Sequence, residues 1–107
     1  MANTFKSIQA VVGATATTAY TVPVATTAVV IGMRVGNKMT TSVAVQASLV
    51  RGATETKIVG SDTPIPSGSA LEGVMGSKIV MQAADSLKIQ GNAANCADLT
   101  LSVMEMT

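Results

Sequence analysis

The chain has 107 residues, seven of them basic and six acidic, for a net charge of +1; 48% are apolar, 2% aromatic, one is cysteine, and histidine and tryptophan are absent. That length is one domain's worth, expected as a single β-sandwich over residues 1–107. The absence of histidine excludes Ser–His and Cys–His catalysis. The lone Cys96 excludes an internal disulfide framework and a cysteine zinc site.

The first predicted strand is Thr4–Val12, where Ile8, Ala10 and Val12 alternate with Ser7, Gln9 and Val11. Gly13-Ala14 ends it. Thr15–Val22 follows, rich in β-branched threonine and closed by Pro23. Thr26–Val35 is the strongest strand, with Val29, Ile31, Met33 and Val35 assigned to the core face. On that assignment Ile31→Ala would cost about 2–5 kcal/mol. Gly36-Asn37-Lys38 turns the chain into Thr41–Val50, with Val43, Val45, Ala47 and Leu49 on one face. Arg51-Gly52-Ala53 leads to Glu55–Val59. The uncharged run from Ser7 to Met33 is long enough for a membrane helix. However, Gly13, Pro23 and its many threonines break it into strands.

Residues 63–89 punctuate the second half. Pro64 and Pro66 remove two backbone donors, so this piece is expected not to be the middle of a paired strand. Ser67-Gly68 is a turn, Leu71 and Val74 carry a short strand, and Met75-Gly76-Ser77 turns again. Lys78–Gln82 and Ser86–Gln90 are further short strands around Ala83-Ala84-Asp85. After a loop over Gly91–Asn95, Ala97–Met106 is the last strand, with Leu99, Leu101 and Val103 on one face. No window repeats at 3.6 residues. Eight or nine short strands with frequent turns predict an all-β antiparallel sandwich, jelly-roll or immunoglobulin-like.

The carboxylates Glu55, Asp62, Glu72, Asp85, Asp98 and Glu105 show no spacing that selects a glycosidase pair. Asp62 and Asp85 sit where aspartate bonds turn backbone. No calcium loop and no phosphate-cradling motif occurs, and Gly73–Gly76 lacks the Lys-Ser/Thr of a P-loop. Lys6, Arg34, Lys38, Arg51, Lys57, Lys78 and Lys88 are dispersed, and Phe5 and Tyr20 are the whole aromatic complement. Neither a nucleic-acid groove nor a membrane patch is indicated. Cys96 has no activating neighbour in sequence and reads as a small buried or interface residue in a reducing compartment. Met104 and Met106 suit packing or subunit contact. The expectation is no catalytic, cofactor-binding or metal-binding residue, and no secretory signal.

Low charge matters most here. Thirteen charged side chains are few for a soluble monomer of this size. A homo-oligomer is therefore expected, with surface covered by other chains.

The opening MANTF, the stretch TTAVVIGMRVGN, and the series PIPSGSALEG, KIVMQAADSLKI and LSVMEMT together resemble small virion structural proteins of tailed bacteriophages. The resemblance spans nearly the whole chain. One departure is Ala84, where the family pattern often has glycine. The resemblance implies a β-rich, non-enzymatic particle component assembled in the host cytoplasm and carried on the virion. Capsid decoration (cement) is the favoured role, as a trimer on the major capsid protein or in contact with other virion proteins. A tail, neck or baseplate component is the alternative. From another class, a carbohydrate-binding module is weakened by the missing aromatics.

Overall fold

The computed structural model describes residues 3–72 and 78–107, without the side chains of Ser61, Asp62 and Glu72. The strand role expected of Val74, the turn at Met75-Gly76-Ser77, the Gly73–Gly76 segment and the turn contact of Asp62 lie outside the described residues.

The described residues form nine strands: β1 (Asn3–Val12), β2 (Thr17–Thr21), β3 (Thr27–Asn37), β4 (Val43–Arg51), β5 (Thr54–Ile65), β6 (Ala70–Glu72), β7 (Ile79–Met81), β8 (Ser86–Gly91) and β9 (Ala97–Met106). They make two antiparallel sheets and no helix. One sheet has the order β1-β9-β3-β6, with β7 also paired to β3; the other has the order β2-β8-β4-β5. This is the expected antiparallel β-sandwich. The run from Ser7 to Met33 lies in β1, β2 and β3 and the loops between them.

The core follows from period-2 alternation. On β9, Ala97, Leu99, Leu101 and Val103 are fully buried, while the residues between them face outward. They meet Leu87 and Ile89 of β8, Val43, Val45 and Ala47 of β4, and Ile65 of β5 within one apolar cluster. Tyr20 is the only buried aromatic among the described residues. The core is therefore assembled from many small contributions, each worth about 1.5–3 kcal/mol for a fully buried Val, Leu or Ile.

Two expectations are corrected. The first concerns β3. Val30 pairs with Val103 and Gly32 with Ser102, so β3 spends two residues where β9 spends one. Ile31 is the extra residue of this bulge and is 40% exposed. Ala28 and Val30 point inward before it, and Met33 and Val35 after it. A strict alternation counted through the bulge puts Val29 and Ile31 on the wrong face, because one inserted residue reverses the phase.

The second concerns the end of β5, expected at Val59 but reaching into the proline segment. β5 extends from Thr54 through Pro64 to Ile65, with Pro64 opposite Ala44. The strand tolerates proline because β5 is an edge, with β4 on one side only. Its register shifts twice, at Val45/Ala47 and at Ala47/Ser48, so β5 is irregular along its length.

Candidate interaction surface

Four ionic contacts place the described carboxylates. Asp85 is buried at the start of the β8 segment. It accepts from Arg51 Nε at 3.0 and 3.1 Å, from Arg51 Nη2 at 2.7 Å, and from the Gln82 backbone N–H at 2.9 Å. The expected turn contact is thus present, and a bidentate ion pair to the end of β4 is added to it. The Arg51 hydrogen bonds hold the Asp85 carboxyl below the ordinary range, with help from the Gln82 amide. Glu105 is buried on the inner face of β9. It accepts from the Tyr20 hydroxyl at 2.5 Å and pairs with Lys6 Nζ at 3.0 Å. The Tyr20 hydrogen bond, then that from Lys6, depresses the Glu105 pKa. Burial, then the Glu105 contact, raises that of Tyr20. Asp98 pairs with Lys38 at 3.0 Å and Glu55 with Lys57 at 3.6 Å. The four carboxylates are each engaged by a separate cation, and no two of them share a cleft.

Cys96 is fully buried. Its Sγ donates weakly to the Val12 carbonyl at 3.6 Å. It also fills the space over Gly91, where a Cβ would lie 2.5 Å from that sulfur. Its role is packing where β1, β8 and β9 meet. Among the described residues, no group of three or more His, Cys, Asp or Glu is arranged to hold a metal.

The two outer faces differ in chemistry. On the β2-β8-β4-β5 sheet, Gln46, Ser48, Glu55, Lys57, Lys88 and Gln90 surround a dent of about 20 Å³, room for about one water. Lys57 donates to Gln46, and Gln46 to Gln90, across the strands. This face is polar and cross-linked by its own side chains.

The outer face of the other sheet is apolar at one end. Phe5 pairs with Met104, Met104 with Val29, and Val29 with Val80. The register lines these four side chains up across β1, β9, β3 and β7, a span of about 14 Å at ordinary strand spacing. Phe5 is 71% exposed and Val80 56%. Ile31, thrust outward by the bulge, adds to the row. Sequence reading had Phe5 and Met104 as isolated features. Only the strand order, which joins residues 5, 29, 80 and 104, makes them one surface. An exposed apolar row of this kind marks a contact surface.

No family model matches the sequence, and no curated protein matches it. A solved structure is similar in fold. It is described as belonging to Bacillus endospore appendages that form a family of disulfide-linked pili. The TM-score is 0.59 with 17% identity, over 99% of this chain and 87% of that one. At that identity the likeness concerns the fold.

Proposed function

We propose that this protein is a non-enzymatic structural subunit that works in many copies within a larger protein assembly. The observation that carries this reading is the apolar row Phe5–Met104–Val29–Val80 on a charge-poor sandwich. A subunit with one polar outer face and one apolar outer face is suited to lie with the apolar side on a partner and the polar side in water. The described carboxylates support the same view, since each is engaged in an ion pair rather than facing another across a cleft.

The assembly we infer is a tailed-phage particle, and the place on it is the capsid shell, as a decoration protein on the major capsid protein. The sequence resemblance supports this choice. A second reading is a subunit of a pilus-like polymer, favoured by the fold it shares with an appendage protein. Such a polymer would not be disulfide-linked, because Cys96 has no accessible surface.

Quantitative mass spectrometry and immunogold microscopy of purified particles from the source test both. Hundreds of copies over a shell support decoration. Labelled filaments move the reading to the polymer. A chain found only free in the soluble fraction refutes assembly altogether.

A further inference from the structure

We propose that the free edge of β1 is a self-pairing site, at which a second copy of this chain adds its own β1 antiparallel across a two-fold axis at Ile8. This rests on the reading of the protein as a multi-copy subunit and names the contact between copies.

The four sheet edges are unequal. β5 is interrupted by two register shifts and carries Pro64. β2 has five residues and a shift between Thr18 and Tyr20. β6 and β7 are three residues each and pair with separate parts of β3. Short, bulged or proline-bearing edges are poor templates for another strand. β1 is different. All ten of its residues pair with β9 without a shift, and no second strand pairs with it among the described residues. Its one charge, Lys6, is turned to Glu105 of the same sheet at 3.0 Å. The lysine that would ordinarily guard such an edge is already neutralised. Asn3–Ser7 are exposed despite being in the sheet.

The side chains select both the occupant and the register. With Ile8 on the axis, Phe5 lies opposite the partner's Val11, Ser7 opposite the partner's Gln9, and Lys6 opposite the partner's Ala10. Phe5 and Val11 are the exposed large apolar residues of β1 among those described, at 71% and 54%, and this register covers each with the other. A slip of two residues sets Phe5 against Gln9 or Gly13 and leaves both apolar groups uncovered. A slip of one turns every side chain to the wrong face. No like charges oppose each other. The pairing also sets the two apolar rows on one outer face, offset along the strands by about 20 Å at ordinary strand rise. The contact closes at two copies, so the elementary contact is a pair and not the three-fold contact implied by the phage resemblance.

An edge pair buries little surface, so self-association is read by sedimentation equilibrium at chain concentrations up to about 1 mM. The double variant Ser7→Lys/Gln9→Lys places like charges opposite each other twice across the axis. It is expected to weaken the dimer by about two- to thirtyfold. Ser7→Lys/Gln9→Glu turns the same positions into attractive pairs and is expected to associate as tightly as wild type or tighter. As a second measurement, Ile8→Cys is expected to form a disulfide-linked dimer under mild oxidation. Val24→Cys, on a loop residue 85% exposed, is expected not to do so. Equal association of the two charge variants, or Ile8→Cys cross-linking no faster than Val24→Cys, overturns the proposal. If wild type associates while neither edge test responds, the edge proposal fails and the multi-copy reading stands. A wild type that stays monomeric throughout and is absent from particles defeats both.

Discussion

Replacing Gly91 with alanine probes the most crowded of the described glycines. The new Cβ would sit 2.5 Å from Cys96 Sγ, 3.1 Å from Val12 Cγ1 and 3.5 Å from the Gly13 carbonyl. Cys96 and Val12 are both fully buried, so neither can swing into solvent. The backbone cannot yield freely either, since Gly91 N–H donates to Gly13 O at 2.7 Å and Cys96 N–H to Val12 O at 3.0 Å. Overpacking of this kind costs about 1–3 kcal/mol. Alanine recovers about 0.5–1 kcal/mol of backbone entropy in a strand. The net loss for Gly91→Ala is therefore about 1–2 kcal/mol, or roughly 0.5–1 M in the urea midpoint of a small domain. Cys96→Ala removes the sulfur that clashes. In that background Gly91→Ala is expected to be neutral within about 0.5 kcal/mol, since only the 3.1 Å contact to a methyl group is left to adjust. Urea unfolding of the four proteins at one fixed chain concentration gives the coupling. A coupling of about 1 kcal/mol or more supports the packing described. Simple additivity would show that Cys96 does not occupy this space.

Further expectations follow from the same structure. Leu101→Ala, fully buried, should cost about 2–5 kcal/mol, whereas Ile31→Ala at the bulge should cost less than about 1 kcal/mol; equal losses in urea unfolding would put the bulge in the wrong place. Ala84 has φ of 73° in the turn closed by Asp85 N–H to Gln82 O at 3.0 Å, a position that favours glycine, so Ala84→Gly should raise stability by about 0.5–1 kcal/mol, and a lowered thermal midpoint would count against it. Asp85 and Glu105 both have depressed pKa values in the folded protein. Their stabilisation is complete above the unfolded-state range of about pH 4–5 and is lost as pH falls below it through the folded values. Tyr20→Phe removes the main cause of the Glu105 depression and should shrink the stability lost between neutral and acid pH without moving its onset, which the unfolded-state pKa sets, so an unchanged loss would contradict the Tyr20–Glu105 contact.

Much of the sandwich was legible because period-2 alternation survives wherever a strand is regular. β9 was bounded correctly from its residues alone, and Leu99, Leu101 and Val103 face the core as read. The errors arose where geometry departs from simple alternation. The Ile31 bulge reversed a phase, although Gly32 inside an apolar strand was a usable signal. Glu55–Val59 was bounded short of Ile65, because sequence does not reveal which strand will be an edge and so carry Pro64 near its end. At position 84, where the family pattern often has glycine, Ala84 adopts a left-handed conformation that the sequence alone did not reveal. The apolar row was not legible, since Phe5, Val29, Val80 and Met104 meet only through strand order. The Arg51–Asp85, Tyr20–Glu105 and Lys6–Glu105 contacts were invisible for the same reason, each joining residues at least 34 positions apart. The free edge of β1 likewise depends on which strands end each sheet.

The central claim is that this charge-poor sandwich works with its apolar surface covered by other chains. Sedimentation of the purified wild-type protein over a concentration series tests it most directly. The account predicts a mass that rises with concentration to at least twice the 10.8 kDa of one chain. A single 10.8 kDa species at every concentration, with the chain also absent from purified particles, would contradict it.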